Sequence, residues 1–404
     1  MQLIDGIPVF GPSVDEGALH QIKQCAIEAD HVALMADHHK GYNMPIGGVA
    51  AYSDHVSPAG VGFDIACGNK AVKLNVEWLD VGKALPLIAD DIFSKLSFGV
   101  GRNNNEVVDH ELFDDPAWTD IPFLSMPGLK DMARNQLGTI GSGNHYVDVF
   151  YDSKSHNLWV GCHFGSRGLG HKIATYFIEQ TGAKANGNMD DPPRLIQANT
   201  SLGEDYVKAM ELAGKYAYAG RDWVCQRVAQ ILGADIIDEV HNHHNYAWRE
   251  NHGGKDMWVV RKGATPARPG QRGFVGGSMG HYSVILEGIE SEEGQHTLYS
   301  TVHGAGRVMS RTEAAGKKRW VKDESGKRRQ IQISQGKVDM QQVYENLTTM
   351  GVILRGGGAD EAPQVYKQLS DVLECHEKSI KVTNVLFPVI VCMAGSNEYD
   401  PYKD

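Results

Sequence analysis

Thr301-Val302-His303-Gly304-Ala305-Gly306-Arg307-Val308-Met309-Ser310-Arg311 is the stretch around which the rest of the chain is read. An apolar, strand-like lead-in delivers His303 into a glycine-flanked turn, and Arg307 and Arg311 follow at four-residue spacing. Small neighbours leave the imidazole uncrowded, and Gly304 and Gly306 let backbone amides approach a phosphate closely. A neutral imidazole is a fair nucleophile toward phosphorus, and guanidinium groups stabilise charge on transferring oxygens. The plain alternative is a glycine turn whose histidine bonds to backbone, so the other histidines and the acidic and thiol groups must decide.

Working outward, composition narrows the classes. The 404 residues are 42% hydrophobic, enough for a substantial core, and the formal charge of −11 makes the surface as a whole repel nucleic acid. A nucleic-acid partner would need a local basic patch and a metal site. Eighteen histidines keep a metal in play, and 46 glycines imply many tight turns. Cys25, Cys67, Cys162, Cys225, Cys375 and Cys392 form no C-x-x-C pair, which favours reduced thiols serving as core residues or metal ligands. Met1 to Gly6 lack the pattern of a signal peptide, and the apolar run from Val385 to Met393 is short and contains Pro388. A soluble, cytoplasmic protein without a membrane partner is expected.

Along the chain, Ile7 to Phe10 read as a strand, a helix follows Ser13, and Val32 to Met35 read as a strand whose end releases the polar cluster Asp37-His38-His39-Lys40. Residues near 99–120 are expected as a surface excursion. Strands are expected at Tyr146 to Phe150, Leu158 to Cys162 and Met257 to Arg261. The apolar spacing from Gly203 to Leu232 predicts a helix broken or bent at Gly214 or Gly220. A basic insertion near 312–332 reads either as a nucleic-acid contact or as a solvated hairpin. Asp360-Glu361-Ala362-Pro363 predicts the start of a helix running to His376, ahead of a last buried strand. No repeat or linker divides the chain, so one domain over 1–404 is expected, of α+β class.

Asp64 and Cys67, three apart among glycines, offer hard and soft donors together, a mixture that suits zinc or manganese once histidines complete the shell. A structural loop with a buried cysteine is the alternative for that pair alone. His145, His163, His244 and His303 each read as closing a strand or helix beside small or amide residues, and four such endings favour a metal site. Asn144 and Asn245 can donate to phosphate, and Arg167, Arg307 and Arg311 can bind it bidentately. Asp37 can orient the His303 imidazole through its other ring nitrogen.

The ordered motifs Asp37-His38-His39-Lys40-Gly41, Gly62-Phe63-Asp64-Ile65-Ala66-Cys67-Gly68, Gly141-Ser142-Gly143-Asn144-His145, His163-Phe164-Gly165-Ser166-Arg167-Gly168, His244-Asn245, Arg261-Lys262-Gly263-Ala264, Gly277-Ser278-Met279-Gly280 and His303-Gly304-Ala305-Gly306-Arg307 closely resemble the RtcB family of RNA ligases, from near residue 30 to the C-terminal strand. The resemblance implies a GTP- and manganese-dependent enzyme joining an RNA 3′-phosphate or 2′,3′-cyclic phosphate to a 5′-hydroxyl, in RNA repair or tRNA splicing. It implies that Asp64, Cys67, His145, His163 and His244 bind two Mn2+ ions with the thiolate shared. It further implies that His303 becomes guanylylated, that Asp37 holds its tautomer, and that Asn144, Arg167, Asn245 and Arg307 contact guanylate or RNA phosphates. Ser278 and the Gly304-Ala305-Gly306 turn belong to the implied nucleotide pocket.

Two positions depart from the family pattern. The usual valine-cysteine-x-lysine-glycine ending reads Val391-Cys392-Met393-Ala394-Gly395 here, followed by an acidic tail, and a glutamate that reads the guanine edge matches Asp148. Weaker discrimination of GTP from other nucleotides is therefore expected. Two alternatives remain at this stage: a cyclic phosphodiesterase or 3′-end guanylylating enzyme with weak sealing, and a non-catalytic, metal-stabilised RNA-binding protein. The sequence leaves open the physiological RNA, the need for an activating protein, and the oligomeric state.

Overall fold

Two sheets divide most of the strands between them, and their ends decide where the polar residues meet. The computed structural model describes residues 1–185, 187–322, 328–396 and 398, without the side chains of residues 320, 322 and 328–330. The larger sheet has eight strands, in the order Ile236–His243, Gly68–Glu77, Asn157–Phe164, Tyr146–Asp152, Ile380–Gly395, Ser283–Gly288 and Arg272–Val275, with Ile353–Gly357 parallel to Ile380–Gly395. The smaller has six: Gln2–Ile4, Ile7–Val9, His31–His39, Ile46–Tyr52, Lys255–Lys262 and Asn245–His252. Helices pack against these mixed sheets, and the class is α+β, as expected.

Antiparallel neighbours put the end of one strand beside the start of the next. In the larger sheet His243 pairs with Gly68, Gly68 with Phe164, and His163 with Tyr146. Cys67, His145, His163 and His244, at or next to those strand ends, therefore gather at one end of four adjacent strands. Gly68 is demanded by this pairing, because a Cβ there would lie 2.2 Å from the Asn242 carbonyl oxygen. The chain then crosses from the larger sheet to the smaller at His244, whose amide donates to the Cys67 carbonyl at 2.8 Å.

The helix Ser201–Leu232 runs behind the larger sheet without a break. Of the break or bend expected at Gly214 or Gly220, the break does not occur: a Cβ at those positions would lie 3.1 Å from the Tyr246 ring and 3.3 Å from the Phe164 ring, so the missing side chains admit aromatic neighbours. Thr200 caps its start by accepting from the Gly203 amide, and Gly233 ends it in the left-handed conformation.

Other expectations also change. Asp37, His38 and His39 continue the strand His31–His39 and do not leave its end. Asp360 begins no long helix; two 3-10 turns, Ala359–Glu361 and Pro363–Val365, precede the helix Leu369–Glu374. Ala362, extended before Pro363, stops propagation between the two turns. The 99–120 stretch, expected as a surface excursion, buries Leu112, Phe113 and Trp118 while exposing Val107. Near 312–332, Lys318–Lys322 and Arg328–Gln332 pair antiparallel; the residues between them, Lys327 included, lie outside the described residues, as does most of the acidic tail. Among the described residues no helix is long and apolar enough to cross a membrane.

Candidate active site

The gathered strand ends create two groups of donors that share one sulfur. Cys67, His163 and His244 form one, and Asp64, Cys67 and His145 the other, with the ligand atoms of each within 4.8 Å of one another. The Cys67 Sγ lies 3.2 Å from His163 Nε2 and 3.6 Å from His145 Nε2. His163 Nε2 faces His244 Nε2 at 3.3 Å, and His145 Nε2 faces an Asp64 carboxylate oxygen at 3.1 Å. His163 Nδ1 donates to the Asn144 carbonyl at 3.0 Å, which leaves the Nε2 lone pair directed at the cluster, the tautomer a metal ligand needs. His145 sits before its strand, His163 within one, and His244 between two, so they do not all close elements as the sequence reading expected.

Electrostatics agree with a cation site. Burial would raise the Asp64 carboxyl, but His145 and Arg167 hold it well below the usual carboxylate range. Burial pushes the Cys67 thiol well up, reinforced by the Asp64 charge. Burial lowers His163 to about 3, keeping it a neutral donor. Two donor sets that share the Cys67 sulfur, one of them with a carboxylate, together with a buried His244 Nδ1 that has no hydrogen-bond partner among the described residues, fit a pair of divalent transition-metal ions.

His303 stands next to this cluster on the turn after the strand Ser300–Val302, its ring centroid 4.8 Å from that of His244. Asp37 reaches it from the smaller sheet. One Asp37 carboxylate oxygen lies 2.6 Å from His303 Nδ1 and also accepts from the His303 amide at 2.9 Å and the Gly304 amide at 3.3 Å. Nδ1 donates to this carboxylate, so Nε2 is left as the free nitrogen. Burial would raise the Asp37 carboxyl, and His303 holds it below the usual range. The approach depends on Gly306, at φ +78°, where a Cβ would lie 2.2 Å from the Asp37 carbonyl oxygen.

An open cleft of about 1880 Å³ joins these parts. It is lined by Asp64, Cys67, His145, His163, His244, His303, Asn144, Asp148, Arg167, Asn245, Ser278, Gly304, Ala305, Gly306 and Arg307; Asp37 lies behind His303, away from the lining. Asn245 is already engaged, accepting from the Gly263 amide at 2.7 Å and donating to the Asp64 carbonyl at 3.4 Å. Arg167 donates toward His145 Nδ1 at 3.3 Å, and Ser278 meets His281 Nδ1 at 3.0 Å. Asp148 is buried, with one carboxyl oxygen lacking a partner among the described residues. Ala394 lines a small crevice beside the cleft, together with Glu361.

The arginines differ most from the sequence reading. Arg311 pairs with Asp360 at 3.1 Å and closely with Glu361; Arg307 meets Glu361 at 3.5 Å and the Tyr366 hydroxyl at 3.3 Å, and Tyr366 donates to Glu361. Sequence reasoning missed Glu361 and Tyr366, since no spacing links them to Arg307. It also missed Lys262, buried on the cleft wall and donating to the Tyr42 and Ala59 carbonyls, although the Arg-Lys-Gly-Ala motif contains it. Lys317, Lys318 and Arg319 are exposed in the basic insertion and do not line the cleft.

Fold and site define an α+β protein with two donor sets that share one cysteine sulfur, beside a carboxylate-braced histidine. Comparison with known proteins names the group. The family model described as tRNA-splicing ligase RtcB matches residues 18–120 and 125–394. The chain is 32% identical to RNA-splicing ligase RtcB of Escherichia coli K12 over 311 residues, 70% of this chain and 75% of the relative. It is 32% identical to the tRNA-splicing ligase RtcB of Archaeoglobus fulgidus over 420 residues, 84% and 82% of the two chains. It is 30% identical to that of Nanoarchaeum equitans over 444 residues, 90% and 88%. The chain belongs to the RtcB family.

Proposed function

We propose that this chain is an RNA ligase that uses GTP and two manganese ions to join an RNA 3′-phosphate or 2′,3′-cyclic phosphate end to a 5′-hydroxyl end. Family membership and the RNA-splicing and tRNA-splicing names of its relatives support the ligase reading. The observation that carries the chemistry is the His303 imidazole, braced through Nδ1 by Asp37 at 2.6 Å and facing the donor cluster with Nε2 free.

Asp64, Cys67 and His145 would hold one cation, and Cys67, His163 and His244 the other. Bound there, the ions supply Lewis-acid stabilisation of the phosphates brought together. His303 Nε2 attacks the α-phosphorus of GTP; the N–P bond forms as pyrophosphate leaves, and Asp37 offsets the positive charge that builds on the ring. An RNA 3′-phosphate oxygen then takes the GMP, breaking the N–P bond and restoring the imidazole. A cyclic end is first opened by water to a 3′-phosphate. The 5′-hydroxyl attacks the activated phosphorus, loses its proton, and GMP departs. A 3′-phosphate is a poor electrophile until GMP improves its leaving group, which is why a nucleotide is consumed. Asn144, Arg167 and Arg307 contact phosphates, Asn245 holds the loop beside them, and Ser278, Asp148 and the Gly304-Ala305-Gly306 turn meet the nucleotide.

Incubation with labelled GTP and Mn2+, comparing wild type with His303→Ala, tests this. Covalent label on the wild type alone, with sealing of a 3′-phosphate end to a 5′-hydroxyl end, is expected. Label retained by the variant removes the nucleophile, and label without sealing reduces the protein to a guanylylating enzyme.

A further inference from the structure

Arg221, at the middle of the helix Ser201–Leu232, is fully buried, and no carboxylate pairs with it among the described residues. Burying a guanidinium without a counter-charge is expensive, so its contacts call for an account. Its fork ends on three segments that carry the donor cluster. One terminal nitrogen donates to the Ala66 carbonyl at 3.0 Å and to the Phe164 carbonyl at 2.5 Å, the residues on either side of Cys67 and His163 in the chain. The other reaches His243 Nδ1 at 2.9 Å, one residue before His244. The Nε donates to His241 Nε2 at 2.8 Å, which fixes the fork from outside, and the guanidinium lies over the Tyr218 ring at 5.4 Å.

Ala66 adds a second, independent observation. It is a non-glycine residue at φ +59°, in the left-handed region, directly before Cys67. Such a conformation persists only where the surroundings over-determine it. Here the Ala66 amide donates to the Asn245 carbonyl at 2.7 Å while its own carbonyl accepts from Arg221. The strained residue that aims the shared thiol is thus clamped from both sides, one of them Arg221.

We infer that Arg221 is a positioning residue for the metal centre, its planar fork setting the spacing of Cys67, His163 and His244 without touching a ligand atom. The inference rests on the two-cation reading proposed above. Five donors in a fixed plane can bridge carbonyls and imidazoles on three segments at once; an ammonium at the end of a flexible stem cannot.

The test titrates the full chain, wild type and Arg221→Lys, anaerobically with Co2+ as probe, reading the thiolate-to-cobalt charge-transfer band and the ligand-field bands, with circular dichroism and thermal melting alongside. Wild type is expected to bind two equivalents with a thiolate band. A folded Arg221→Lys is expected to bind roughly 10- to 100-fold more weakly, the range typical for groups that orient metal ligands, with altered ligand-field bands at saturation. A folded Lys variant with wild-type affinity and spectrum overturns the inference. If that variant does not fold, His241→Gln, which releases only the outer anchor of the fork, decides: a shifted spectrum supports the inference and an unchanged one overturns it. Wild type binding no cobalt through sulfur would instead remove the metal reading itself, a failure seen before any variant is compared.

Discussion

Asp37 and Asp148 are two buried carboxyls at the same cleft, one from each main sheet, and their surroundings drive them in opposite directions. Burial alone would raise both. At Asp37 the adjacent His303 ring and amide overcome that cost and hold the group below the usual carboxylate range. At Asp148 burial pushes the carboxyl well above it, opposed only in part by the Cys392 backbone amide. A charged or hydrogen-bonding partner, and not depth, decides which buried acid stays ionised. Asp37 thus favours the anion beside the His303 imidazole, whereas Asp148 favours the protonated carboxyl, which can donate as well as accept a hydrogen bond.

The comparison breaks most sharply at Asp37→Asn, which keeps the shape and removes the charge. Transfer of label from GTP to the protein should fall roughly 10- to 100-fold, as for other groups that orient a reactive or ligating imidazole. An unchanged rate would mean that the ring is held without that anion. Glu361 is a third buried acid, already paired with Arg307 and Arg311. Glu361→Gln should free part of that positive charge and tighten binding of a 3′-phosphorylated oligonucleotide by up to about tenfold, equivalent to roughly 1.4 kcal/mol. Weaker binding, measured by fluorescence anisotropy, would show instead that the carboxylate is needed to aim the arginines.

The smallest effect is expected at Asp148→Asn, read as stability against pH. Because the folded pKa is raised, the native state keeps a proton that the unfolded chain has released, so wild-type stability falls as pH rises above the ordinary carboxylate value. The variant lacks this term. Urea unfolding at pH 4 and pH 7 should show the wild type losing more than about 0.5 kcal/mol relative to the variant, beyond the scatter of surface substitutions. Parallel curves would mean that Asp148 titrates like an exposed acid.

Much of this was legible in the chain. Apolar runs marked Tyr146 to Phe150, Leu158 to Cys162 and Met257 to Arg261 as strands, which lie within the strands Tyr146–Asp152, Asn157–Phe164 and Lys255–Lys262, and short polar motifs marked the candidate donors. Other signals misled because tertiary contacts give a residue its meaning. Gly214 or Gly220 read as a break or bend, yet the helix is unbroken and Tyr246 and Phe164 occupy the space that side chains would fill. Arg307 and Arg311 read as free phosphate ligands, while their partners Asp360 and Glu361 lie about fifty residues downstream. Arg221 gave no signal at all, because an arginine in a helical run looks like surface until three other segments close around it.

The sequence by itself determined which residue types were available: a thiol, carboxyls, a set of histidines, and the glycines that let strands and turns approach so closely. It also determined the family, through the order of motifs that no single spacing could establish. The tertiary structure alone decided that four antiparallel strands end side by side, so that donors up to 180 residues apart share one sulfur. It alone decided that Asp37 is held below the usual carboxylate range and Asp148 pushed above it. The physical reason is the same in both cases: distances across a sheet, and the dielectric and partners around a carboxyl, are properties of neighbours in space, which local sequence does not encode.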